Sequence, residues 1–184
     1  AILKFPAKTN IIIKKLKARR FLKQHPGIKT VVEKKEKTKG RLRKQKTKHL
    51  AGIKNKETIH IENKCKFKLN IDEAYFSPRL SEHRKKTCEK IAGQVKNNDN
   101  ILVMFSGVAP WPIILAKTIK QLVPEKNFHI YANEINQKAN QYAKENIKLN
   151  KLNSEITLIP EDEEKLPEKL KKTNLKLNFN IILM

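Results

Sequence analysis

Two residues of one stretch carry the first chemical signal. In Asn100–Asn150, NILVMFSGVAPWPIILAKTIKQLVPEKNFHIYANEINQKANQYAKENIKLN, Gly107 closes one apolar run and Glu134 follows a second, Phe128–Ala132. A glycine turn lets backbone approach a ligand closely, and a carboxylate after the next strand can accept hydrogen bonds from ribose hydroxyls. The same two residues also fit a plain strand-to-helix connection with no ligand. The glycine-rich dinucleotide fingerprint fails here, because Gly107 leads into Ala109 and Pro110 with no further glycine.

The elements around them must do the placing. Asn100–Phe105 has the apolar pattern of a buried strand ending at a Ser-Gly turn. A helix is expected from about Pro110, since Pro110 and Pro112 are tolerated only in a first helical turn. Phe128–Ala132 reads as a second strand and Gln137–Leu149 as an amphipathic helix. A short strand Glu155–Ile159, a charged helix Asp162–Lys172 and a strand Asn180–Met184 follow. This alternation predicts a parallel sheet covered by helices, with ligands at the carboxyl ends of its strands. Upstream, YFSPRLSE (Tyr75–Glu82) reads as a loop entering a helix that runs to about Gln94, with Pro78 in its first turn.

The first part of the chain has a different character. Residues 1–70 hold 23 Lys and Arg against 4 Asp and Glu, a net charge of +19, whereas the other 114 hold 18 against 14, a net of +4. An AT-rich genome would raise lysine everywhere and does not explain this concentration. A polyanion, nucleic acid above all, is the expected partner. Ile2–Phe5 reads as a short strand, and Asn10–Gln24 as a helix capped by Thr9 or Asn10 and stopped at His25-Pro26-Gly27. Ile28–Glu33 is a β-rich run. Lys34–Lys48 reads as a solvated charge run or a basic hairpin lying on RNA. Thr58–Glu62 and Lys66–Ile71 alternate around Asn63-Lys64 as a half-exposed antiparallel pair.

Several chemistries find no support. No apolar run approaches the ~20 residues of a membrane helix, and Ala1–Phe5 does not read as a signal peptide. Cys65 and Cys88 form no C-x-x-C and read as buried or incidental thiols of a reducing, cytoplasmic protein. The five histidines show no metal spacing, so no metal is expected. The first residue is Ala, and the apolar strand at Met184 leads to the expectation that part of a larger sheet is missing or supplied by a second polypeptide.

Taken in order, HPGIKTVVEK, KGRLR, KHLAG, ETIHIENKCKFKLNIDEAYFSPRLSEH, MFSGVAPW, IYANEIN and KENIKLNKL resemble the archaeal and eukaryotic tRNA (guanine-N1)-methyltransferases that modify the purine 3′ of the anticodon, and their wybutosine-pathway relatives. The resemblance covers most of the chain from about His25. It implies a Rossmann-like class I methyltransferase sheet, C-terminally truncated, in residues 72–184, preceded by a small basic α+β tRNA-facing domain in residues 1–71. It further implies S-adenosyl-L-methionine as cofactor and tRNA as partner.

Roles follow from the same resemblance. The backbone of Phe105, Ser106, Gly107, Val108 and Ala109 would wrap the methionine part, Glu134 would hold the ribose, and Asp162 would contact the adenine amine. Glu82 would take the N1 proton of guanine, and Arg43 would stabilise charge developing on O6. Arg41, Arg43, Tyr75, Phe76 and Arg79 would bind the substrate. From composition alone Arg43 reads as a phosphate contact, Glu82 as a first-turn residue, Asp162 as a helix cap, and Tyr75 and Phe76 as packing. The chain departs from the family where D-M-F-A-G becomes V-M-F-S-G, with Val103 for the acid, and where Ala109 replaces a second glycine. The step from Leu80 to Glu82 is one residue shorter than the usual R-L-x-x-E, and the N-L-P-like motif of the family lies beyond Met184. Rival readings are an aminocarboxypropyl transferase, a non-catalytic tRNA-binding remnant, and half of a split enzyme.

Overall fold

The computed structural model describes residues 1–35, 40–172 and 178–184. Its chain divides into two units, Ala1–Glu57 with Asn70–Glu73, and Thr58–Leu69 with Ala74–Met184.

The first unit contains β1 (Ile2–Leu3), α1 (Ile11–Gln24), β2 (Thr30–Lys34) and β3 (Thr47–Gly52). β2 lies centrally, parallel to β1 and antiparallel to β3. α1 starts where the Asn10 side chain accepts the Ile12 N–H at 2.8 Å, and it stops where the His25 N–H closes onto Phe21 and Leu22. Its Ala18 is buried with Val31, Leu50 and Ala51, and Phe21 and Leu22 pack against that cluster. Gly52 has φ +83°, and a Cβ there would stand 2.2 Å from the Lys29 carbonyl oxygen, so only glycine fits. The lysine-rich run Lys34–Lys48, expected to be solvated or a hairpin, overlaps 36–39, which lie outside the described residues; its end enters β3. There Thr47, Leu50 and Ala51 are buried while Lys48 is exposed. Asp72 ties residues 70–73 to this unit, accepting the Thr47 hydroxyl at 2.7 Å and pairing with Lys56.

The second unit opens with a hairpin of β4 (Glu57–Glu62) and β5 (Cys65–Asn70). Its turn residues Asn63 and Lys64 both have left-handed φ, 47° and 60°, as a two-residue hairpin turn requires. After a short 3-10 turn at Pro78–Leu80 come α2 (Ser81–Ala92), β6 (Asp99–Val103), α3 (Pro110–Leu122), β7 (Phe128–Asn133), α4 (Gln137–Leu149), β8 (Ile156–Ile159), α5 (Leu166–Lys172) and β9 (Ile181–Leu183). The sheet order is β8-β7-β6-β9 and every pairing is parallel. The alternation read from the sequence is therefore a parallel sheet, with α5 starting at Leu166 rather than at Asp162.

The hairpin departs from the expected division at residues 71 and 72, because Thr58–Leu69 belongs to the sheet unit. Cys65 and Phe67 join the core of Cys88, Ala92, Ile113 and Ile130. Asn146 of α4 and Asn150, which caps its C-terminal end, then satisfy alternate residues of β5. Asn146 accepts the Lys68 N–H at 2.7 Å and donates to the Lys68 carbonyl at 3.0 Å; Asn150 does the same for Lys66 at 3.1 and 2.8 Å. Residues i and i+4 share one helix face and i and i+2 one strand side, so the two periods coincide. Cys65 and Cys88 are free and buried, and burial pushes their thiols up to about 11 and about 12.

Candidate active site

β6 and β7 lie side by side, and their carboxyl ends carry the Gly107 turn and Glu134. Beyond β6 the backbone is left-handed at Phe105 (φ 53°), Gly107 (φ 56°) and Ala109 (φ 65°). Such clustered positive φ is rare outside glycine and concentrates at ligand-binding turns. The loop is pinned where the Ser106 N–H donates to the Asn133 carbonyl at 2.8 Å and the Ala109 N–H to the Ser106 carbonyl at 2.9 Å. Ala109 then caps α3, with Pro110 in its first turn.

Glu134 is held by this loop. Its Oε2 accepts the Gly107 N–H at 2.7 Å and its Oε1 accepts the Asn136 N–H at 2.7 Å. Each oxygen keeps a lone pair, so the carboxylate is oriented yet still able to accept two hydroxyl groups. Its own carbonyl accepts from Asn140 Nδ2 at 2.7 Å. Asn146, which binds β5, also donates to the Val108 carbonyl at 3.1 Å and so supports the loop from behind. Among the described residues the buried Ser106 hydroxyl and Asn140 Oδ1 have no hydrogen-bond partner. Val103 is buried at the end of β6 and offers no polar group.

The other expected residues are more widely spread. Asp162 closes a turn ahead of α5, accepting the Glu164 N–H on Oδ1 at 3.1 Å. Glu82 is in the first turn of α2, its side chain 68% exposed and 3.6 Å from Lys86. Arg79 is exposed in the 3-10 turn, and Tyr75 is exposed with its carbonyl facing Gly107. Phe76 turns inward, half-buried against Phe67. Arg41 and Arg43 lie exposed in the first unit, Arg43 at φ 46° closing a turn onto the Gly40 carbonyl. The structure thus groups Phe105–Ala109, Glu134 and the Tyr75 backbone. Among the described residues no three metal-ligating side chains come together, and no helix is long and apolar enough to cross a membrane.

The sequence reading missed Asn146, Asn150, Glu62 and Arg84. The first two carried a signal, as polar residues at i and i+4 on the buried face of a helix. Arg84 did too, since it shares the buried face of α2 with Cys88 and Ala92.

The TRM5/TYW2 methyltransferase domain family matches residues 58–182, starting where the second unit starts. The chain belongs to that family. Within the family it is 40% identical over 139 residues to a Nanoarchaeum equitans protein named tRNA (guanine(37)-N(1))/4-demethylwyosine(37)-methyltransferase Taw22, covering 76% of this chain and 43% of that one. It resembles the structure of a complex of aTrm5 and tRNALeu with TM-score 0.76 and 32% identity, over 100% of this chain and 48% of the other. It also resembles Methanocaldococcus jannaschii Trm5 in complex with adenosine, with TM-score 0.66 and 33% identity, over 86% and 42%. The chain spans a little under half the length of these family members.

Proposed function

We propose that the chain is the cofactor-binding part of a tRNA methyltransferase that methylates N1 of the guanine 3′ of the anticodon, with S-adenosylmethionine as donor. One observation carries this reading: Glu134, fixed by the Gly107 and Asn136 amides, stands at the carboxyl ends of two adjacent parallel strands, where α/β sheets bind nucleotides. The residues present fit such a group. Glu134 can accept both ribose hydroxyls, the left-handed turn at Phe105–Ala109 offers backbone to the methionine part, and the unpartnered Ser106 hydroxyl supplies polarity where Val103 does not. Asp162 is assigned to the adenine amine.

When bound, S-adenosylmethionine supplies a methyl group on a positively charged sulfur. The protein has two further tasks. Guanine N1 carries a proton and is a poor nucleophile, so a carboxylate must remove that proton during transfer; Glu82 has this role. Negative charge then develops on O6, and a guanidinium placed there favours the transition state over the ground state; Arg43 has this role, with Arg41 and Arg79 on phosphates. The segment that carries Tyr75 and Phe76 borders the target base. The excess of lysine in residues 1–70 supplies phosphate contacts that position without reading sequence.

The partner is tRNA and the compartment the cytoplasm. The relatives are named for methyl transfer, which favours methylation over aminocarboxypropyl transfer. A second polypeptide carrying the family's N-L-P-like motif is a proposed complement. The test is transfer of labelled methyl from S-adenosylmethionine to an unmodified tRNA transcript, with and without a separately produced C-terminal segment of the family. A transcript with adenine in place of that guanine is the control. Guanine-dependent transfer is expected; equal labelling of both transcripts, or none under either condition, overturns the reading.

A further inference from the structure

Phe76 is held from three sides. The Arg84 guanidinium lies over its ring at 5.2 Å, the His60 ring is tilted against it at 5.0 Å, and Phe67 meets it at 5.8 Å. Arg84 is itself fixed: Nε donates to Glu62 Oε1 at 2.6 Å, and Nη2 donates to Glu62 Oε2 at 2.8 Å and to the Ser77 carbonyl at 2.9 Å. His60 Nε2 stands 3.3 Å from the same Glu62 Oε2. Both charged side chains of the pair are only 3% exposed. Desolvating such a pair offsets most of its attraction, so an apolar pair of the same volume would stabilise the fold equally well. What the ion pair does distinctively is grip two consecutive residues, the ring of Phe76 and the carbonyl of Ser77. Ser77 is extended (φ −122°, ψ 103°), and in extended backbone neighbouring side chains alternate sides. Tyr75, the residue before Phe76, is 45% exposed, with its carbonyl 3.7 Å from where a Cβ on Gly107 would stand.

We propose that the Glu62–Arg84 pair is a positioning device that locks Phe76 inward, so that Tyr75 alone of the aromatic pair presents its ring to the target purine beside the Gly107 turn. This rests on the reading that the Tyr75–Leu80 segment borders the target base. Stacking on one aromatic ring is worth about 10- to 100-fold in affinity for an unpaired base, so the device sets how firmly that base is held.

The test uses the full chain labelled with 3-fluorotyrosine, the Tyr75 fluorine signal being the one absent from Tyr75→Phe. An anticodon stem-loop RNA with guanine 3′ of the anticodon is compared with one abasic at that position. The Tyr75 signal is expected to shift with the guanine RNA and not with the abasic one. In the Glu62→Met/Arg84→Met double variant, adenosine affinity should stay within about twofold while the Tyr75 response disappears and guanine-RNA affinity falls about tenfold. Amide exchange at Ser77–Leu80 should quicken at least about tenfold, with no change in the sheet. Arg84→Lys, which keeps the charge and loses the fork, substitutes if the double variant does not fold. A Tyr75 signal indifferent to the base overturns the stacking role, and unchanged exchange at Ser77–Leu80 overturns the device. Neither readout involves methyl transfer, so a failure of the proposed reaction is distinguishable from a failure of the device.

Discussion

The Gly107 N–H donates to the Glu134 carboxylate at 2.7 Å, joining the ends of two strands across 27 residues of sequence. The acid is thereby oriented before any ligand arrives. Glu134→Gln should break this arrangement selectively, because a carboxamide can offer only one acceptor atom to two N–H donors. Adenosine and S-adenosylmethionine affinity should fall about 10- to 100-fold, measured by calorimetry, with the circular dichroism spectrum unchanged.

Asn146 serves three backbone groups, the N–H and carbonyl of Lys68 and the carbonyl of Val108. Asn146→Ala leaves them buried without partners. A loss of about 3 kcal/mol is expected, lowering Tm by roughly 10 °C. Asn146→Asp should be as damaging, since a carboxylate cannot donate to either carbonyl. Thermal unfolding followed by circular dichroism checks both.

The two small residues of the turn should respond differently. Gly107→Ala forces a side chain into φ 56° without gaining packing and should cost about 1 kcal/mol. Ala109→Gly relieves a similar strain at φ 65° but deletes a fully buried methyl worth about 0.8 kcal/mol. The two effects nearly cancel, so Tm should stay within about 2 °C.

The buried thiols give a pH test. Burial raises Cys65 to about 11 and Cys88 to about 12, so folding favours the protonated form and alkaline pH works against the fold. At pH 8.5 the thiolate fraction of each is at least about 50-fold below that of an exposed cysteine. Iodoacetamide should therefore label neither until denaturant is added, as read by mass spectrometry.

α1 carries six Lys and Arg and no acid, and among its exposed residues Arg19 and Lys23 repel at i, i+4. A polyanion relieves this repulsion. Arg19→Gln with Lys23→Gln should weaken tRNA binding and reduce the slope of log K against log salt by about 2.

Legibility in the sequence followed the range of the interactions. α4 over Gln137–Leu149 and the start of α3 at Pro110 were readable because periodicity and proline chemistry act within a few residues. The position of Glu134 at the end of β7 was readable because an acid closing an apolar run is itself a local pattern. β3 was hidden because its buried Thr47, Leu50 and Ala51 adjoin a lysine-rich run. The attachment of the hairpin to the sheet unit was hidden for another reason: the i, i+4 spacing of Asn146 and Asn150 marks a polar pair on a buried helix face, but not that its partner is β5, 78 and 84 residues away. The inward turn of Phe76 likewise depends on Arg84 and Glu62, 22 residues apart and both charged, which composition assigns to the surface.

The asparagine contacts also bear on association between molecules. A two-stranded hairpin ordinarily leaves two open edges, each able to recruit a strand from another chain. At Lys66 and Lys68 the outward backbone groups of β5 are already taken by carboxamides, which match one residue each and cannot propagate a ladder. α4 therefore works as a stopper along that edge, guarding the hairpin against strand-swapped aggregation while the domain folds.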